Sequence, residues 1–434
     1  MHPRVPAPPP SPDAAARDPR PRPPLRIVYL SASGALGGAE RALLDLLASV
    51  RAAEPSWSLC VVAGEDGPLA ARVRELGAEA HVLAFPPRLA SLGDAGTAGG
   101  RLGRAGLMAG MAAAGPSAAL YLLRLRRLLA RLAPDAVHTN GFKMHLLAAY
   151  ARPRGVPVVW HLHDFVSARP AMRGLLRSAS ARCSAAVAVS EAVAEDARAA
   201  LGSGLAVHTV LNAIDLSRFR PDGEAADLAA RAGLAPAADG TVRVGLVATM
   251  GRWKGHETFL RALAALPAGP PVRGYVIGGG IYRTAGSEVA VDDLRRLAAE
   301  LGIARRVGFT GLVDDPAAAM RALDVVVHAS TQPEPFGLVI AEAMACGRAV
   351  IVSDAGGARE IVRPGHDALT AAPGDVAALS SAIHRLAADP ALRAALGRHG
   401  RESALLTFDR ARLAERMVPL YRSLAAAHPP DSGR

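Results

Sequence analysis

Two glutamates, Glu334 and Glu342, stand with seven residues between them in Ser330-Thr-Gln-Pro-Glu-Pro-Phe-Gly-Leu-Val-Ile-Ala-Glu342. A carboxylate accepts hydrogens from hydroxyl groups, and sugars offer several. Pro333 and Pro335 break regular structure around Glu334, so that residue belongs on a loop. Leu338 to Cys346 reads as a short helix, stopped by Gly347. Its N-terminus, with free amides and partial positive charge, faces whatever Glu334 faces. Glu342 lies one turn inside the helix, close enough to reach the same ligand. A phosphate at the helix tip, flanked by two such carboxylates, suits a sugar nucleotide. A solvated Glu pair is the plainer alternative.

Other groups have types and positions that could do chemistry. The 434-residue chain carries a formal charge of +11, almost wholly on arginine, and Lys143 and Lys254 are its only lysines. A lysine that survives such a composition is a candidate for a chemical role, above all Lys254 in Gly251-Arg-Trp-Lys-Gly255. His161-Leu-His-Asp164 ends one strand and offers His163, with His161 as runner-up. His138-Thr-Asn-Gly141 ends another and offers His138 and Asn140 to an acceptor. The competing reading of each histidine is a packed, hydrogen-bonded ring. The pair His161/His163 lacks a third ligand at metal spacing. Ser33-Gly-Ala-Leu-Gly-Gly-Ala-Glu-Arg41 follows the first strand and opens a helix, where glycines let backbone amides approach a phosphate or sugar. It is neither the dinucleotide Gly-x-Gly-x-x-Gly nor a Walker loop, and a tight structural turn explains it equally well.

These groups need elements to position them. Half the residues are apolar and only 4% aromatic, which favours alternating strands and helices. Residues 1–24 are rich in Pro and Arg and cannot bury a core, so they are expected to be disordered. They lack the apolar stretch of a secretory signal. Leu25–Leu30 begins a βαβ series that runs through Trp57–Ala63, Ala136–His138, Val156–His161, Ala185–Ser190 and Val207–Leu211. Pro221–Asp239 reads as a linker. A second series follows at Val242–Thr249, Gly274–Ile277, Val307–Thr310, Val325–His328 and Ala349–Ser353, with helices between. Asp409–Ala427 reads as a closing amphipathic helix. The expected division is therefore a tail (1–24), a first Rossmann-like domain (25–218), a second (219–408) and a returning helix (409–434). Two doubly wound units hold ligands at their strand C-terminal ends.

Residues 86–127 contain a long uncharged run with Arg101, Arg104, Arg124, Arg126 and Arg127 around it. Its Ala, Gly and Pro116 make a poor membrane span. A surface helix on a membrane and an ordinary helix with a loop remain the alternatives. Cys60, Cys183 and Cys346 show no zinc or disulfide spacing, which suits a reducing cytoplasm. The positive excess suits an anionic nucleotide or lipid surface. Nucleic acid is unsupported, since no basic helix interleaves with aromatics.

Val325 to Glu360, with Glu334 and Glu342 inside it and Gly356-Gly-Ala-Arg-Glu360 at its end, resembles the Glu-x7-Glu region of retaining GT-B glycosyltransferases of family four (group 1). The resemblance covers roughly residues 26–425. It implies a GT-B fold, two Rossmann-like domains facing across a cleft, and transfer of a hexose from a UDP- or GDP-linked sugar to a glycan or lipid-linked acceptor. No cofactor is implied, and no metal. The absence of any Asp-x-Asp agrees with a clamp made of cationic side chains and helix dipoles. On the family pattern Glu334 contacts the donor sugar, Glu342 the ribose, and Lys254 the diphosphate, while His163 lies near the transferring centre. Gly37 and Gly38 would line the diphosphate or the acceptor mouth. Thr249, Arg252, Gly279, Val313, Ser330, Phe336, Gly337 and Leu338 would complete the donor side. The family's clamp arginine falls on Thr249 by spacing, with Arg252 only two residues before Lys254. That displacement is the one argument for a catalytically degenerate relative that binds nucleotide-sugar or scaffolds a membrane assembly. A nicotinamide oxidoreductase lacks its dinucleotide fingerprint. Ser190-Glu191 and Asn212-Ala-Ile-Asp215 resemble family signposts at the domain junction.

Overall fold

The computed structural model describes residues 23–87, 101–280 and 288–428, with the backbone alone for 101–114 and 171. The tail up to residue 22, and residues 88–100 of the Arg-flanked stretch, lie outside this description. Short apolar runs separated by helical patterns build β1 (Arg26–Ser31), β2 (Ser58–Ala63), β3 (Glu79–Val82), β4 (Ala136–Asn140), β5 (Val158–Leu162), β6 (Ala185–Ala188) and β7 (Val207–Thr209). They form one parallel sheet in the order β3-β2-β1-β4-β5-β6-β7. A second parallel sheet contains β8 (Val242–Val247), β9 (Val272–Ile277), β10 (Val307–Gly311), β11 (Val325–His328), β12 (Ala349–Ser353) and β13 (Leu369–Ala371), in the order β10-β9-β8-β11-β12-β13. Helices cover both faces, so strands such as β4, β5 and β12 are buried along their whole length.

The strand order reverses once in each sheet, between β1 and β4 and between β8 and β11. At such a switch point the two flanking crossovers lie on opposite faces and leave a crevice at the strand C-terminal ends. The loops that rim the two crevices follow β1, β4, β8 and β11. They carry Gly37, Lys254 and Glu334, and Asn140 ends β4 at the same rim. Topology thus gathers motifs lying hundreds of residues apart.

Two expectations change. Pro221–Asp239 is no free linker. Ala226 N–H donates to Ala318 O at 3.0 Å, Leu228 is buried, and Arg231 reaches Leu312 O, so the segment packs on the second sheet's layer. As its composition suggests, the helix Arg101–Leu132 is a poor span: Tyr121, Leu125 and Leu129 enter the core, and no helix among the described residues is long and apolar enough to cross a membrane. Helices Pro68–Glu75, Pro170–Ala179, Glu191–Leu201 and Pro390–Thr407, with β3 and β13, were not legible. The helix Ala411–Ala427 returns to the first unit, where Ala414 N–H donates to Ser49 Oγ at 2.9 Å. Its Met417 and Tyr421 pack with Tyr29, Trp57 and Leu43.

Candidate active site

The crevice of the second sheet is built around one ion pair. Lys254 ends the 3-10 turn Arg252–Lys254 after β8, and its ammonium bonds to Glu334 Oε1 from the loop after β11. Ser330 Oγ donates to the other oxygen, Glu334 Oε2, at 2.7 Å. His328 Nε2 lies 3.5 Å from that oxygen and 3.2 Å from Ser330 Oγ. Burial alone would raise the Glu334 carboxyl, but the Lys254 charge, followed by the His328 contact, holds it well below the usual carboxylate range. Glu334 is therefore ionised at neutral pH in a largely buried setting.

Close backbone approaches lock this arrangement. Gly255 adopts φ +76°, and a Cβ there would lie 1.8 Å from Ala329 O, so only glycine lets the β8 loop lie against the β11 loop. Gly356 and Gly357 do the same on the other side: Gly357 N–H donates to Glu334 O at 2.7 Å, and a Cβ at Gly357 would sit 2.1 Å from Pro335 O. Glu360 of the same turn reaches the first unit, where its carboxylate accepts from Glu191 N–H and Ala192 N–H, each at 2.7 Å. Ser190 Oγ, which caps that helix by accepting from Val193 N–H, donates to Pro335 O at 2.6 Å. The Glu334 loop is thereby tied to the first unit. At the junction Asp215 pairs with Arg410 at 2.7 Å.

Glu342 faces across the cleft. Burial pushes its carboxyl up to about 6 against the pull of Arg41 and Arg218. Asp45, on the helix Gly38–Ala53, is pushed up to about 7 by burial, with Arg410 opposing and Glu342 and Asp215 adding to the shift. Gly37 caps this helix in an extended conformation, and a Cβ at Gly38 would meet nothing within 4 Å, so open space lies over that turn. Asp164 is also raised, chiefly by burial, with the Glu334 charge contributing from the opposite wall. His163 precedes it, half-buried, with Nε2 lacking a hydrogen-bond partner among the described residues, and burial lowers its ring to about 4.

Other candidates fall differently. Met250 N–H bonds Gly279 O at 3.3 Å and Gly278 N–H bonds Gly311 O at 3.0 Å, which brings the loops bearing Thr249, Gly279 and Val313 together at one sheet end. Arg252 is exposed and outside the Lys254–Glu334 group. Phe336 is 3% exposed and packs edge-on against Phe408. Gly337 in the left-handed region and half-buried Leu338 start the next helix. His138 is wholly buried, and Asn140 is 2% exposed with Nδ2 donating to Ala39 O at 3.3 Å. His161 sits beside it at 3% exposed. Sequence reasoning missed His328, Asp45 and the interdomain role of Glu360. Strand parity was the available signal for His328, because it shares a face with Ser330 two residues on.

Both halves of the chain match family models. Residues 36–218 match Glycosyltransferase Family 4, and residues 236–403 match Glycosyl transferases group 1. The chain belongs to this glycosyltransferase family. The lipopolysaccharide core biosynthesis glycosyltransferase LpsE of Rhizobium meliloti (strain 1021) is 34% identical over 187 residues, 42% of this chain and 50% of the relative. A GDP-mannose-dependent alpha-(1-6)-phosphatidylinositol monomannoside mannosyltransferase of Mycolicibacterium smegmatis (strain ATCC 700084 / mc(2)155) is 32% identical over 60% of this chain and 68% of the relative. Anabaena Alr3699/HepE, solved in complex with UDP-glucose, superimposes with a TM-score of 0.73 at 26% identity, over 92% of this chain and 100% of that one. The fold is GT-B.

Proposed function

We propose that this glycosyltransferase moves a hexose from a UDP- or GDP-linked sugar to the hydroxyl of a glycan or lipid-linked acceptor, with retention at the anomeric carbon and without a metal ion. The observation that carries the reading is the buried Lys254–Glu334–Ser330–His328 group at the switch point between β8 and β11, with Glu342 on the helix that follows. The bond from the anomeric carbon to the diphosphate oxygen breaks, and its electron pair leaves with the diphosphate. Lys254 neutralises that growing charge, where a preformed cation acts most strongly in a water-poor cleft. Ionised Glu334 supports the positive charge developing on the sugar and accepts from its hydroxyls. The acceptor oxygen approaches from the same face, and its proton passes to the leaving phosphate. Glu342 takes the ribose hydroxyls, and His163 lies against the transferring sugar. UDP-glucose bound to Anabaena HepE and the GDP-mannose dependence of the mycolicibacterial relative support a nucleotide-sugar donor.

The test is calorimetric titration of the protein with UDP, GDP and ADP, with Glu342→Ala and Lys254→Ala alongside. Micromolar binding of one nucleotide, lost in both variants, is expected. A folded protein that binds none of the three would overturn the reading. A peripheral contact of residues 86–127 with the cytoplasmic membrane face belongs to the same proposal. Leu120, Leu123, Arg124, Arg127 and Arg131 are exposed at spacings of three and four on the Arg101–Leu132 helix, the pattern of an interfacial face. Flotation with anionic vesicles that left the protein at the bottom would remove this part.

A further inference from the structure

A chain of buried rings runs from the returning C-terminal helix to the cleft end of the first sheet. Tyr421 Oη lies 2.9 Å from His138 Nδ1, and His138 Nε2 lies 3.1 Å from His161 Nδ1. The three residues are 0%, 0% and 3% exposed. His161 lies next to the end of β5 beside Asn140, its register partner on β4, and its ring lies 4.0 Å from that of His163, centroid to centroid. His161 Nε2 and Asn140 Oδ1 are both buried and have no hydrogen-bond partner among the described residues. Buried polar atoms are nearly always paired, so two such atoms near the ends of neighbouring strands, β4 bordering the switch point, indicate a ligand position.

The protons in this chain can be assigned. A phenol is a good donor and a poor acceptor, whereas the bare nitrogen of a neutral imidazole is a strong acceptor. The Tyr29 hydroxyl also meets that of Tyr421; with Tyr29 O–H donating to Tyr421 Oη, Tyr421 O–H passes its own hydrogen to His138 Nδ1. His138 must then carry its hydrogen on Nε2 and donate it to His161 Nδ1. His161 is left with its hydrogen on Nε2, the orphan atom. Burial lowers His138 to about 3 and His161 well below its ordinary value, so both rings stay neutral. Without the Tyr421 hydroxyl, either ring could flip its tautomer.

We infer that Tyr421 is a positioning residue for the transferase site: through His138 it fixes His161 as the Nε2–H tautomer, making that N–H a standing donor to a hydroxyl oxygen of the substrate sugar beside His163. The inference rests on the sugar-transfer reading of the cleft and adds the group that sets its hydrogen-bond polarity. His138 thereby has a role without touching substrate. The returning helix becomes part of the site as well as part of the core.

The experiment is long-range nitrogen–proton NMR of the full chain labelled on histidine, with His138→Gln and His161→Gln to assign signals, on wild type and Tyr421→Phe. Wild type should show His138 and His161 with the hydrogen on Nε2. In Tyr421→Phe, which keeps the ring packing, His138 should become a tautomer mixture. Sugar transfer should then drop about ten-fold in kcat with donor KM little changed, as expected for one lost or misaligned hydrogen bond to the transferring group. A wild-type His161 carrying its hydrogen on Nδ1 overturns the inference with no variant needed. Unchanged tautomers or an unchanged kcat in Tyr421→Phe overturn it too. A failure of the sugar-transfer reading itself would appear separately, as a wild-type protein that binds no nucleotide.

Discussion

Replacing Lys254 by methionine keeps most of the side-chain volume but strips the counter-charge from Glu334. In the native protein Lys254 and Glu334 are 21% and 12% exposed. Breaking a fully buried pair costs roughly 3–5 kcal/mol, and this residual solvent contact brings the expectation down to about 2–3 kcal/mol. The pH dependence carries a sharper signature. In wild type the Glu334 carboxyl is held below its unfolded value, so its stabilisation is present above that value and is lost as pH falls towards the folded one. With Lys254 gone, burial becomes the leading influence and lifts the carboxyl above its unfolded value. Stability is then lost as pH rises through that window. The deficit of Lys254→Met relative to wild type should therefore widen from about pH 4.5 towards neutrality. Glu334→Gln leaves an ammonium without its partner and should also destabilise. Lys254→Met/Glu334→Gln removes both charges and should recover about 2 kcal/mol relative to the sum of the singles. Urea unfolding at pH 5 and 7.5 reads this cycle, with the double variant folded yet inactive. Additive singles, or a deficit independent of pH, would refute an ion pair at the centre of the site.

The remaining predictions concern neighbouring parts of the cleft. Glu342 titrates near 6, and ribose hydroxyls bond better to its ionised form. Nucleotide affinity should therefore fall about ten-fold between pH 7 and pH 5, and Glu342→Gln should flatten the profile; Asp45→Asn distinguishes the carboxylate opposite, and an unaltered profile in Glu342→Gln sinks the assignment. Because its folded value lies above the ordinary one, Glu342 also makes the unliganded fold lose stability as pH rises through the window between them. Gly255→Ala, which sets a Cβ against Ala329 O at φ +76°, should cost more than about 3 kcal/mol and abolish nucleotide binding; a stable, binding-competent variant would show the two loops to be independent. Glu360→Ala removes two acceptor bonds to Glu191 and Ala192 amides. Exchange at those two amides should speed up while the second sheet's amides stay protected, and unchanged exchange would remove Glu360 from the domain contact.

Much of this protein was legible without coordinates because the signals are local. Short β-branched runs alternating with helical patterns announce parallel sheets. Pro333 and Pro335 put Glu334 on a loop, Gly347 ends the helix bearing Glu342, and the scarcity of lysine drew attention to Lys254. Each of these depends on backbone preferences within a few residues. What tertiary structure alone decided depends on residues far apart in the chain. Phe336 turned inward because Phe408 lies behind it, and Pro221–Asp239 became packed structure because Ala318 and Leu312 offered carbonyls to it. Lys254 and Glu334 meet because strand order sets β8 beside β11. His138 finds its partner in Tyr421, 283 residues later in the chain. Periodicity shows that a residue faces inward. Which partner it finds there depends on how the sheets and the returning helix close around it.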